Sequence, residues 1–285
     1  MIPSQFDYVR ATTVDEAVAA LGQHGDDAKV LAGGQSLIPL LRLRLAYPEA
    51  LIDVSGVEEM RAVRDDGDAI AIGASVTHAD VIGNPLVQQH APLVAEATKT
   101  VADRQVRHRG TFGGSLSHAD PAGDLPAVAV ALDAQLVVAG SGGRRTIAAS
   151  DFFVDYLQTA LAPDELLVEV RLPKLGDGWG VHYEKFHRVA QAWAVVGVAA
   201  AVRRSNGAIT QARIGLTNMG PTPIRASTVE QALSGVEATA DAVRAAAARA
   251  ADGTSPPDDL GGDGEYRRHL VTVLTRRAVL SAAGA

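Results

Sequence analysis

Cysteine is absent from the 285-residue chain. That excludes disulfides, thiolate catalysis and any iron–sulfur cluster ligated by cysteines of this chain. Long apolar runs are missing too. The longest, "AWAVVGVAAAV" at 192–202, falls far short of the roughly 20 residues that span a bilayer as a helix. The first residues, "MIPSQFDYVRATT", lack the basic-then-apolar layout of a signal peptide. An excess of positive charge is also lacking: 26 Lys and Arg stand against 33 Asp and Glu, for a net charge of −7. Such a balance argues against a nucleic-acid surface as the main partner. The expectations are no transmembrane segment, no nucleic acid and a cytoplasmic location.

Several catalytic signatures are missing as well. No Gly-Lys-Ser/Thr follows a glycine turn at P-loop spacing, and no three spaced glycines make a dinucleotide fingerprint. Gly140-Ser141-Gly142-Gly143 comes nearest, but Arg145 occupies the third glycine position, and a hairpin turn explains the stretch better. "GxSxG" does not occur, and the scattered His24, His78, His90, His182, His187 and His269 suggest no triad. Catalysis by the chain's own side chains is unsupported, which points to a cofactor that carries the chemistry.

What is present begins with alternating elements in a chain that is 47% hydrophobic and 21% charged. "TVDEAVAALGQHG" has helical spacing, with Thr13 and Glu16 placed as a capping box. The strand "KVLAG", read as buried, leads into the turn "GGQS" and a short helix in "SLIPLLRLR"; "ALIDVS" is a further strand. Near Gly56 a second lobe starts. It holds a hairpin at Asp65-Asp66-Gly67, a short helix capped by Thr77, and one longer helix in "PLVQQHAPLVAEATKTVA". A helix in "DLPAVAVAL", a second hairpin and the strand "ELLVEVRLP" complete it. Beyond Gly176, "VHYEKFHR", "WAVVGVAAAVRR" and "AITQARIGLTN" predict a three-stranded antiparallel sheet, and three helical stretches follow. The spacing divides the chain into 1–55, 56–175 and 176–285.

Two glycine phrases stand out: "AGGQS" at 32–36 and "TFGGS" at 111–115. In each, backbone N–H groups can approach a ligand without Cβ obstruction, and hydroxyls at Ser36, Thr111 and Ser115 add donors beside a helix start. One such turn is usually structural. Two in one chain suit a ligand with two adjacent phosphates. "SHADPAGD" contains His118, Asp120 and Asp124; a metal site is conceivable there, and Asp120 reads equally well as the cap of the following helix. Asp124 could accept hydrogen bonds from sugar or ribityl hydroxyls. The run Arg104 to Arg109 reads as a solvated face, or as charge compensation for a phosphate or an acidic partner.

The phrases "AGGQSLIPLLRLRLAYPEALIDVS", "AIGASVTHADV", "RQVRHRGTFGGSLSHADPAGDLPAV", "DELLVEVRLP" and "YEKF", in this order, resemble the FAD-binding medium subunit of molybdenum hydroxylases. That family includes aerobic carbon monoxide dehydrogenase, and the flavin domain of xanthine dehydrogenase is a relative. The resemblance implies an α+β fold of the vanillyl-alcohol-oxidase type, with two FAD-binding subdomains and a C-terminal α+β domain. It implies FAD contacts from Val30, Leu31, Ala32, Gly33, Gly34, Gln35, Ser36 and Leu37, and from Thr111, Phe112, Gly113, Gly114 and Ser115. Asp124, Leu167 and Lys185 fall at matching places, and so does Val101.

Lys185 is either a solvated strand lysine or a cation that favours the anionic reduced flavin. Trp193 is either a core residue at a strand start or an aromatic beside the isoalloxazine. No residue is assigned a catalytic or metal-binding role. The resemblance further implies a large partner subunit with a molybdenum–pterin cofactor and a small one with two 2Fe–2S clusters, assembled as a dimer of heterotrimers. The flavin subunit would take electrons from the clusters and pass them to an external acceptor. A stand-alone FAD oxidoreductase of the same fold, or a non-catalytic assembly protein, are the competing readings. The stretch 189–193 departs from the family pattern and offers no anchor for NAD.

Overall fold

The computed structural model describes residues 2–285, in which three sheets with their covering helices make up most of the molecule. The first sheet is parallel, with β1 (Asp7–Arg10), β3 (Ala50–Asp53) and β2 (Ala28–Leu31) in that order. Helix α1 (Val14–His24) covers it through Val14, Ala17, Ala20 and Leu21. The capping box is real but displaced by one residue. Thr13 Oγ1 accepts from the Glu16 N–H, whereas the Glu16 carboxylate accepts from Thr12, through both its N–H and its hydroxyl. The strand expected to be buried is not: Val30 and Leu31 of β2 are only half-buried. It lies at the sheet edge and runs out into the "AGGQS" turn, which leads to α2 (Leu37–Leu43).

A five-stranded antiparallel sheet follows, in the order β4 (Val63–Asp66), β5 (Ala69–Gly73), β10 (Leu166–Pro173), β6 (Gln135–Gly140), β7 (Gly143–Ala148). Both expected hairpins form, and Gly140-Ser141-Gly142-Gly143 is the turn of the second. The small ribbon of β8 (Phe153–Asp155) and β9 (Gln158–Thr159) stands apart. Helices α3 (His78–Gly83), α4 (Pro85–His90), α5 (Pro92–Lys99), α6 (Arg104–Arg107), α7 (Phe112–His118), α8 (Asp124–Ala131) and α9 (Ala149–Phe152) fill the connections. One long helix was expected over 85–102. Pro92 divides it instead, because a proline in mid-helix lacks the N–H and clashes with the preceding turn.

The third sheet is antiparallel: β11 (Trp179–Phe186), β12 (Val196–Ser205), β13 (Ala208–Thr217) and a two-residue edge strand, β14 (Ile224–Arg225), that the sequence did not predict. The β12–β13 turn is Asn206-Gly207, both with positive φ (51° and 85°), as a tight hairpin turn of this hand requires. Strand β12 is apolar and buried from Val196 to Val202 because both its faces are covered there, and it turns polar and more exposed from Arg203 onward. Ala199 and Ala201 join the core of the first two sheets, and Val196, Val198, Ala200 and Val202 join a second core beneath α10 (Ser227–Leu233), α11 (Ala240–Ala247) and α12 (Gly264–Ala283). Among the described residues no helix is long and apolar enough to cross a membrane.

Candidate functional site

The two glycine phrases begin 79 residues apart in sequence and lie next to each other in space. A Cβ on Gly33 would overlap the carbonyl oxygen of Arg109 and lie 2.7 Å from Gly110 Cα, so the first turn rests on the backbone that enters the second. Gly34 has φ 72°, a left-handed conformation that side chains rarely adopt. Among the described residues, nothing accepts the backbone N–H of Gly33, Gly34, Gln35 or Ser36. No residue from Val30 to Leu37 is buried. Consecutive unspent N–H groups on an open turn form an anion-binding nest.

The second phrase was expected to offer the same arrangement. It does not. The Phe112 N–H goes to Val76 O at 2.9 Å, Gly113 to Ala74 O at 3.0 Å, Gly114 to Thr111 Oγ1 at 3.1 Å and Ser115 to Thr111 O at 3.0 Å. Long-range pairing with the segment just after β5 consumes the first two donors, and Thr111, as the cap of α7, consumes the other two. What remains for a ligand is the half-buried Ser115 hydroxyl and the exposed Gly114 backbone, over a fully buried Phe112 that fixes the turn from below. Thr111 is 6% exposed and its hydroxyl is occupied as a cap. One phrase is the cradle and the other its wall.

Asp124 and Lys185 come together from α8 and β11. Lys185 Nζ lies 2.8 Å from Asp124 Oδ2, and each side chain is 4% exposed. Lys185 is therefore no solvated strand lysine. Its ammonium also donates to Thr100 O at 3.1 Å, next to the half-buried Val101. The other carboxylate oxygen accepts from the Tyr183 hydroxyl at 2.8 Å, and that hydroxyl meets Thr217 Oγ1 at 3.2 Å. Burial lifts the Asp124 carboxyl above its ordinary range, opposed by the Lys185 ammonium and the Tyr183 hydrogen bond. Burial also pushes the Tyr183 phenol well up. Sequence reading missed Tyr183. Its only signal was period-two spacing with Lys185 on one strand face.

Leu167 is buried in β10 beside Val168, whose carbonyl accepts from the Ala74 N–H; Ala74 O in turn receives Gly113. Trp193 is 55% exposed in the loop before β12, which overturns its reading as a core residue. Its indole lies 6.4 Å from the His118 ring, at the end of α7. Asp120 accepts from the Ala122 N–H at 2.9 Å and closes a turn, but Gly123 is the residue that precedes α8, so Asp120 does not cap the helix. His118 is 3.9 Å from Asp120, and no metal-ligand cluster occurs among the described residues. In the basic run, Arg107 is structural, bonding to Val101 O and Ala102 O. Arg104, His108 and Arg109 are exposed.

The bare N–H nest, set against the backbone that enters the second phrase, fits a diphosphate-bearing cofactor. Comparison with known proteins agrees. Residues 4–175 match the family described as the FAD-binding domain in molybdopterin dehydrogenase, and residues 181–282 match the CO dehydrogenase flavoprotein C-terminal domain. The carbon monoxide dehydrogenase medium chain of Hydrogenophaga pseudoflava is 43% identical over 282 residues, covering 99% of this chain and 98% of the relative.

Among solved structures, a carbon monoxide dehydrogenase from Hydrogenophaga pseudoflava that lacks the Mo-pyranopterin moiety superposes with a TM-score of 0.97 at 44% identity, over 100% of this chain and 99% of the other. Quinoline 2-oxidoreductase from Pseudomonas putida 86 gives 0.95 at 32% identity, with 100% and 99% covered.

Proposed function

Because the chain belongs to the family of FAD-binding domains in molybdopterin dehydrogenases, we propose that it is the flavin subunit of a molybdenum hydroxylase. In this reading it takes electrons from a partner with 2Fe–2S clusters and passes them to an external acceptor. Bound FAD would supply a ring that exchanges electrons singly or in pairs.

The chain's own residues bind and orient. The N–H groups of Gly33, Gly34, Gln35 and Ser36 would hold the diphosphate, with Ala32 and Leu37 flanking them and the Ser36 and Ser115 hydroxyls adding donors. Thr111 and Phe112 keep Gly113 and Gly114 in place. Val30, Leu31, Val101 and Leu167 would give apolar contacts, Asp124 and Lys185 the buried polar end, and Trp193 an aromatic at the rim. The absence of cysteine fits a division of labour in which a separate small subunit carries the clusters and a large one the molybdenum–pterin cofactor. The proposed assembly is a dimer of heterotrimers. Relatives that share this fold act on carbon monoxide and on quinoline, by their names. Substrate choice would therefore rest with the large subunit.

The observation that carries the reading is the run of four unspent N–H groups on a turn that Gly33 pins to the second phrase. A calorimetric titration of apo-protein tests it. FAD should bind, ADP should compete, and riboflavin should not compete. Competition by riboflavin without ADP would place recognition at the ring and remove the diphosphate role.

A further inference from the structure

The buried pair Asp124–Lys185 does not stand alone, and its third member has no assigned role. Tyr183 is 4% exposed, and its hydroxyl is the donor to Asp124 Oδ1. Room for that hydroxyl is built in: a Cβ on Gly197, the β12 residue paired with Lys185, would lie 2.5 Å from the phenol oxygen and 3.0 Å from Thr217 Cβ. On the far side of the carboxylate, Lys185 spends two of its three N–H groups on Asp124 and Thr100. The third has no acceptor among the described residues. A buried ammonium with one unspent donor is a costly arrangement unless a ligand completes it.

We propose that Tyr183 is a positioning residue for the cofactor: it fixes the Asp124 carboxylate, which holds the Lys185 ammonium with one N–H directed to the flavin. This rests on the FAD reading above. Tyr183 touches no ligand itself and acts through Asp124. Besides Lys185 and Tyr183, the charged or titratable group facing Asp124 is His187, just past β11; Thr217 on β13 and Thr100 at the end of α5 complete the surroundings without charge. Loss of the phenol donor removes one of the three influences that hold the carboxyl down against burial. Asp124 then takes a proton at higher pH, and the ammonium loses its anchor at higher pH as well.

The test is FAD affinity of the apo chain, followed by flavin fluorescence across acidic to alkaline pH, for the parent, Tyr183→Phe and Tyr183→Phe/Asp124→Asn. In Tyr183→Phe the Asp124 inflection should move upward by about one to two pH units. In the double variant it should vanish. Gly197→Ala, which crowds the hydroxyl without removing it, should shift the inflection the same way and serves if Tyr183→Phe does not fold. A variant that is less heat-stable but has the parent's pH profile overturns the proposal, because a merely structural tyrosine would behave so. A parent chain that binds no FAD overturns the flavin reading, and this proposal with it.

Discussion

Gly33 and the Arg109–Gly110 peptide meet so closely that no side chain fits between them. The contact ties the cradle to its wall, and it separates two kinds of substitution that sequence alone would treat as equivalent. Gly33→Ala must displace backbone rather than a flexible side chain end, at a cost of about 1–3 kcal/mol. It should lower the melting temperature and abolish FAD binding together. Gln35 is exposed, so Gln35→Glu should leave the melting temperature of the apo chain unchanged and weaken FAD about tenfold through charge repulsion near the diphosphate. Thermal melts and FAD titrations on both variants check this. Equal FAD affinity in Gln35→Glu and the parent would mean that the nest does not hold the phosphates.

Attachment of the cofactor follows from the same geometry. Nothing in the cradle is a nucleophile suited to a covalent flavin bond: the groups are backbone N–H and hydroxyls, and the chain has no cysteine. Acid precipitation of the purified protein should release all flavin into the supernatant, as FAD. Flavin retained in the pellet, or recovered as FMN, would contradict the prediction.

The Asp124–Lys185 pair makes a prediction about stability. Removing one member of a buried pair leaves the other charge uncompensated, typically at about 3–5 kcal/mol. Lys185→Met should therefore be strongly destabilised in the apo chain. Lys185→Met/Asp124→Asn should recover most of the loss, since the amide still accepts from Tyr183 without a charge. Urea denaturation of the single and double variants measures the coupling. Additive losses would show that the two side chains do not interact in solution.

His78 supplies a pH dependence. It lies at the start of α3, beneath the second phrase, with its backbone N–H on Gly110 O and its Nδ1 without a partner. Burial, and secondarily the Arg107 charge, pulls its pKa from 6.5 down to about 4. The unfolded chain thus binds this proton first as pH falls. Stability from His78 is fully present above about pH 6.5 and is lost as pH drops toward 4, by an amount on the order of 3 kcal/mol. Denaturation of the parent and of His78→Gln at several pH values should converge through that window. Parallel curves would rule His78 out as the group responsible.

Much of this arrangement was legible in the sequence because it is local. Thr13 and Thr77 announce helix starts, Asn206-Gly207 announces a hairpin, and the apolar run at the start of β12 announces a strand. The cradle's asymmetry was not legible. Thr111 as a cap accounts for the Gly114 and Ser115 donors, but whether Phe112 and Gly113 keep theirs depends on Val76 and Ala74, more than 30 residues upstream, and no property of the phrase itself reports that pairing. The same holds for Lys185, whose partner lies 61 residues away in sequence. Of the two readings of Trp193, the one as a core residue failed for a related reason. Position beside an apolar strand suggests burial, but the loop runs on to Val195, and the tryptophan stays outside the core.

That loop bears on the electron acceptor. A nicotinamide must lie against the flavin ring and be held there by polar or charged groups. Among residues 189–193, Val189 and Trp193 are exposed apolar groups, and alanines occupy 190 and 192. Gln191, the only polar side chain between them, is already engaged, its amide donating to Asp103 Oδ2 at 2.8 Å. Asp103 is in turn fixed as the cap of α6 through its other carboxylate oxygen, so Gln191 is tied to a rigid partner. An exposed indole next to His118 instead suits a flat, weakly polar molecule that can stack. The assembled enzyme should therefore pass electrons to quinones, dyes or oxygen faster than to NAD, and Trp193→Ala should slow the quinone reaction more than the oxygen reaction. Stopped-flow mixing of the reduced enzyme with each acceptor measures both. Saturable reoxidation by NAD that outpaces the quinone would refute the assignment.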